Sequence, residues 1–121
     1  MVLKLLNIMS VVIHWKGFFL ETSGEIMKDY IDYKFNEDIY IDELRDYIDK
    51  TYDQHYATGK IQSTEVIIDR GHGTGFCMGN VDKYSNRYGK KGGPAEARKD
   101  LMKVLHYAIL QLYVHDMENN V

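Results

Sequence analysis

Gly75-Phe-Cys-Met-Gly-Asn-Val-Asp-Lys-Tyr-Ser-Asn-Arg-Tyr-Gly-Lys-Lys-Gly-Gly-Pro94 reads as a helix, a glycine turn and the start of a second helix. Phe76 to Tyr88 carries Asn80, Lys83 and Arg87 at helical spacing, so an amide, an ammonium and a guanidinium share one face. Gly89 to Gly93 then turns the chain and presents Lys90 and Lys91. Pro94 suits the first position of the next helix, where its missing N–H has no partner to lose. Leu101, Leu105, Ala108 and Leu112 repeat along that helix and predict its core stripe.

Working towards the N-terminus, Gly71-His-Gly-Thr-Gly75 interrupts whatever precedes it. Glu65-Val-Ile-Ile-Asp69 fits a β-branched strand, and Gln62 to Asp69 fits a short helix equally well. Asp53 to Lys60 reads as a loop. Before it, Asp38 is placed to cap a helix in which Ile41, Leu44, Ile48 and Tyr52 recur, with Asp42, Glu43, Asp46 and Asp49 on the wet side. Ser23 is placed to cap an earlier helix lined by Ile26, Tyr30 and Tyr33. Val2 to Leu20 is the most apolar stretch and predicts a short strand or hairpin.

The expected fold is therefore mainly α, a small single helical domain over residues 1–121 with a short N-terminal β-strand or hairpin. A lone proline favours helix over loop, and the single cysteine, Cys77, forms no internal disulfide, which fits a reducing compartment. The apolar N-terminus is broken by Asn7, His14 and Lys16, lacks a small-residue cleavage site and is too short and polar to span a bilayer. These features point to a cytoplasmic protein with no membrane partner.

Charge is distributed unevenly. Glu21 to Asp53 holds eleven acids against four Lys or Arg, whereas Lys83 to Lys103 holds seven basic residues against Glu96 and Asp100. A basic segment attracts anions, but a chain of formal net charge -3 is not built to bind nucleic acid by charge. On charge alone, the basic segment equally describes a solvated helix face.

Arg offers a planar fork for phosphate oxygens and Lys a compact charge, so Lys83, Arg87, Lys90 and Lys91 form the candidate phosphate site. Backbone N–H groups at Gly92 and Gly93 would add to it. Tyr56, Tyr84, Tyr88 and Tyr107 are available to stack a base. Asp100 is expected to orient Lys83 or Lys103. Glu65 and Asp69, four apart, would share a magnesium ion through water and phosphate oxygens, although ordinary surface acids read the same way. No metal-ligating set is assigned, because His55, His72, His106 and His115 are scattered. Gly71-x-Gly73-x-Gly75 lacks the glycine spacing and the later acid of a dinucleotide fingerprint, and no GxxxxGK[ST] loop occurs. Cys77 has no aligned base nearby and reads as a buried helical thiol.

His55-Tyr56, Gly59, Ile61-Gln62, Glu65-Val-Ile67, Gly75-Phe-Cys-Met-Gly-Asn80, Lys83-Tyr84, Arg87, Gly89-Lys-Lys-Gly-Gly93, Asp100-Leu101, Lys103 and Tyr107 follow a further pattern. In order and spacing they resemble a family of small phage proteins of unknown function labelled nucleotide-kinase-like. One of its members is a P-loop-less, early-gene nucleotide kinase of a lytic coliphage. The resemblance covers residues 53–113 and leaves 1–50 unrecognised. It implies a compact helical domain, a homo-oligomer, a nucleotide ligand and a place in the cytoplasm of an infected bacterium. The stretch between Ile67 and Phe76 is shorter and richer in glycine than the family pattern. Ile68 also displaces the acid expected there and leaves Asp69 as the candidate.

Two uses of a phosphate site follow. In a nucleoside monophosphate kinase, Glu65 or Asp69 would hold Mg2+ or orient the acceptor. Lys83, Arg87, Lys90 and Lys91 would neutralise phosphates. Asn80, His55 and Tyr56 would read base or sugar, with Tyr84, Lys103 and Tyr107 completing the pocket. In a non-catalytic sponge, one basic pocket would sequester nucleotide immune signals, making the protein an anti-defence factor. A third reading is a structural or regulatory partner protein that uses the acidic helix from Asp38 to Asp53.

Overall fold

The computed structural model describes residues 30–55 and 63–121. The expected N-terminal strand or hairpin, the cap at Ser23, Ile26 and the candidate Tyr56 lie outside these residues. Tyr30 to Asn36 is non-helical and exposed, so Tyr30 and Tyr33 do not line a helix as their spacing suggested. Four helices make up most of the described residues, which contain no strand: α1 (Glu37–His55), α2 (Ser63–Asp69), α3 (Gly73–Arg87) and α4 (Pro94–Asn119).

The helix boundaries follow from local chemistry. α1 begins one residue before the anticipated cap, after Asn36 turns with a φ of 57°. It runs through His55, and within it the Thr51 hydroxyl donates to the Tyr47 and Ile48 carbonyls of the preceding turn. The start of the expected loop at Asp53 is thus helical.

The stretch that fitted strand or helix is helix α2. Its end is fixed by Gly71, whose φ of 83° few other residues adopt. The Gly71 N–H donates to the Ile68 carbonyl at 2.9 Å and the His72 N–H to the Ile67 carbonyl at 3.0 Å. This pairing is a Schellman motif, so the first glycine of the Gly-His-Gly-Thr-Gly run serves as a helix stop. The two later glycines lie within α3, which starts three residues earlier than the sequence indicated because nothing after His72 breaks the ladder.

α3 and α4 form the tightest pair and run antiparallel, joined by the turn that begins at Tyr88. Gly73 lies against Val114, where an added Cβ would come within 3.0 Å of a Val114 methyl. Thr74 meets Gln111, Phe76 meets Tyr107, and Arg87 meets Asp100. The fully buried side chains at this seam are Cys77, Val114 and Asp100. The expected core stripe of α4 points elsewhere: Leu101, Leu105, Ala108 and Leu112 are all exposed. The residues facing α3, among them Ala97, Asp100, Tyr107, Gln111 and Val114, sit about 100° around the helix from that stripe.

Asp100 is 2% exposed and is held by Arg87 through Nε to both carboxylate oxygens at 3.1 Å and through Nη2 to Oδ1 at 2.5 Å. These bonds hold the Asp100 carboxyl below its ordinary pKa and tie the turn end of the hairpin together. α2 packs on α3. α1 joins α4 through the Arg98–Glu43 fork and through Tyr47, whose ring meets His106 edge-on at 5.8 Å. No described helix is long and apolar enough to cross a membrane.

Removing one partner of a buried pair strands the other. Asp100→Ala is expected to lower the thermal unfolding midpoint by several degrees, and Asp100→Asn by less, because an amide oxygen in the Oδ1 position still accepts from Arg87 Nε and Nη2. Circular dichroism melts of both variants check this.

Candidate functional site

The hairpin of α3 and α4 brings together five of the residues singled out in the sequence. Tyr84 stacks on Tyr107 with centroids 5.9 Å apart and planes 13° off parallel. Lys83, Arg87 and Lys103 place their charged groups 5.0, 4.9 and 4.8 Å from the centre of the Tyr84 ring. An aromatic ring tolerates cations at this range because its face is electron-rich. Arg87 is already neutralised by Asp100, which therefore orients Arg87 rather than the lysines expected. Among the described residues, Lys83 and Lys103 form no ion pair with a carboxylate. Two positive charges are left at the mouth of the cluster.

Beside it lies an open cleft of about 430 Å³. Tyr47, Thr51 and Tyr52 of α1 form one wall, Ser63 and Thr64 of α2 close an end, and Tyr84, Lys103, His106, Tyr107 and Leu110 form the other side. His106 lies at 29° to Tyr107 with centroids 6.3 Å apart, extending the aromatic row across α4. Burial pushes the Tyr47 and Tyr107 phenols up, so both stay neutral at physiological pH, and it pushes His106 down. The cleft thus offers flat aromatic surface, three hydroxyl-bearing aliphatic side chains and one ammonium. That combination suits a planar, hydrogen-bonding, anionic ligand.

Asn80, Lys90, Lys91, Glu65 and Asp69 are not among the residues that line this cleft. Asn80 donates its amide to the Phe76 carbonyl of its own helix at 2.9 Å. Lys90 donates to Asn86 at 2.9 Å, and Lys91 is exposed, although its charge reaches Asp100. Glu65 and Asp69 are exposed on α2, Glu65 directly after the two residues that line the cleft and Asp69 just over a turn beyond them. No group of three or more His, Cys, Asp or Glu side chains converges among the described residues. His55 is the last residue of α1. Cys77 is fully buried, and burial raises its pKa, which fits the inert thiol expected.

Sequence reasoning missed Tyr47, Thr51, Ser63, Thr64, His106 and Leu110. A signal for some of them was present. Tyr47 and Thr51 are four apart on the side of α1 away from Asp42 and Asp49, and His106 follows Lys103 by three.

His106 gives the cleft a pH signature. Its folded pKa lies below the ordinary 6.5, so the unfolded chain takes up the proton first as pH falls. Its contribution is complete above about 6.5 and is lost progressively below that value. Denaturant midpoints measured from pH 7.5 to 5 should fall more steeply for the wild type than for His106→Phe.

Neither the curated proteins nor the solved structures contain a match to this chain. Residues 50–109 match the family described as Protein of unknown function (DUF3310). That span runs from the last turn of α1 through α2 and α3 into α4, and it contains Lys83, Tyr84, Arg87, Lys103 and Tyr107. The chain carries a DUF3310 domain at residues 50–109.

Proposed function

We propose that the cleft between α1 and the α3–α4 hairpin binds a nucleotide or a nucleotide-derived phosphorylated ligand. The observation that carries this reading is the gathering of Lys83, Arg87 and Lys103 around Tyr84, a ring that also lines the cleft. Lys83 and Lys103 supply charge for the phosphate. Arg87, its fork fixed by Asp100, has Nη1 left to donate. Tyr47, Tyr84, His106 and Tyr107 hold the base, while Thr51, Ser63 and Thr64 bond its edge or the sugar.

The enzymatic form of this reading is a nucleoside monophosphate kinase of a phage-infected cell, working with Mg2+ and ATP. Glu65 and Asp69 are its candidate acids, on the helix whose first residues close the cleft. The non-catalytic form is a sponge that holds a nucleotide immune signal. Both use the same pocket and differ in whether the ligand leaves changed.

Titration calorimetry with a panel of nucleoside monophosphates and cyclic nucleotides tests the pocket. Lys103→Ala and Tyr84→Ala should each weaken binding at least tenfold, about 1.4 kcal/mol. Lys99→Ala, which removes an exposed partner of Glu96, should bind as wild type. Mass spectrometry after incubation with ATP and Mg2+ separates the two forms: a new phosphorylated product marks the kinase, and unchanged ligand released by heat marks the sponge. Unaltered binding in both cleft variants, or no binding of any panel member, contradicts the site.

A further inference from the structure

α1 is the least firmly held wall of the cleft. None of residues 37–54 is buried, whereas the α3–α4 seam shields Cys77, Val114 and Asp100 from water. Glu43 meets Arg98 and Tyr47 meets His106, and beyond them Thr51 and Tyr52 line the same cleft as Tyr107 and Leu110. Successive turns of α1 therefore face successive turns of α4, and the two helices run side by side in the same direction.

A second cavity, of about 410 Å³, lies between the same two helices. Glu43, Asp46 and Tyr47 of α1 line it together with Ala95, Arg98 and Met102 of α4. Tyr47 thus borders both spaces. On one side of its ring the Arg98–Glu43 fork spans the gap, and on the other side lies the cleft. Protein interiors are close-packed, so open space on both sides of one aromatic contact leaves the angle between the helices weakly fixed.

We propose that α1 rocks on Tyr47 as a lever, and that the Arg98–Glu43 fork is the latch that holds the cleft open. From Glu43 to Thr51 is about 12 Å of continuous helix, which moves as one body. Drawing the Thr51 end in on a ligand therefore lifts the Glu43 end away from Arg98. The latch is weak enough to give way, because its guanidinium and carboxylate side chains are 52% and 39% exposed and water competes for both. Latch closed and cleft closed are then two alternative positions of one element, which couples a surface ion pair to a pocket on the far side of Tyr47. The lever stands on the packing alone, and its effect on affinity rests on the ligand reading of the cleft.

Two pairs of spin labels on the full chain in a Cys77→Ala background read the lever without any ligand. Asp42→Cys with Leu101→Cys reports the latch end, and Asp53→Cys with Ile109→Cys reports the cleft end. Adding Arg98→Ala should lengthen the first distance and shorten the second. In titrations with nucleoside monophosphates, Arg98→Ala and Glu43→Ala should each bind about two- to fivefold more tightly than wild type, the range an exposed ion pair can supply. The swapped pair Glu43→Arg with Arg98→Glu should restore both the distances and the wild-type affinity. Opposed distance changes with no nucleotide bound by any variant would support the lever and contradict the ligand reading. Distances that stay fixed, or that both lengthen when Arg98 is removed, overturn the lever. Weaker binding by the latch variants overturns it as well.

Discussion

The fork between Arg87 and Asp100 fixes most of what surrounds it. A carboxylate buried this deeply in a small helical hairpin is stable only because a guanidinium meets it with three hydrogen bonds. The pair sits where α3 ends and α4 begins, so it sets the register in which the two helices run past one another. From that register follow the close approach of Gly73 to Val114 at the far end and the stacking of Tyr84 on Tyr107 between them. The same pair cancels the charge of Arg87 while leaving Lys83 and Lys103 without an ion-pair partner among the described residues. One interaction thus serves both as a brace of the fold and as the frame of the basic cluster.

This dual role explains where the sequence was legible and where it was not. The end of α3, the glycine turn and the proline start of α4 could be read directly, because Gly89 and Pro94 act through backbone geometry alone. The inward face of α4 could not. A stripe of Leu101, Leu105, Ala108 and Leu112 looks like a core, whereas a face holding Asp100 and Gln111 looks wet. Only the guanidinium brought by α3 makes that second face a place to bury an aspartate, and no local pattern reveals a partner thirteen residues away. Gly71 was legible as a break for the same backbone reason. Its run lacks the spacing of a dinucleotide fingerprint, and its left-handed backbone ends α2.

The candidate site was legible in part for the same reason. Lys83, Tyr84, Arg87, Lys103 and Tyr107 were all singled out and come together, although spacing alone implied a shared face only for Asn80, Lys83 and Arg87. The wall supplied by α1 and α2 was hidden, because Tyr47, Thr51, Ser63 and Thr64 reach the cleft through tertiary packing and carry no motif of their own. Lys90 and Asn80 had suitable chemistry, but hydrogen bonds within their own segment turn them to local use. α4 emerges as a helix with three distinct faces: one against α3, one towards α1 and the cleft, and one apolar stripe facing outward.

The claim on which this account rests is that the aromatic and basic wall of the cleft contacts a phosphorylated ligand. Backbone amide NMR shifts of the full chain, followed as a nucleoside monophosphate is added, address it most directly. The account predicts saturable shifts clustered at Tyr84, Lys103, His106 and Tyr107, with Gly71 to Gly75 and the Leu101–Leu112 stripe unmoved. Shifts centred on the glycine run, or none at ligand concentrations in the millimolar range, would contradict it.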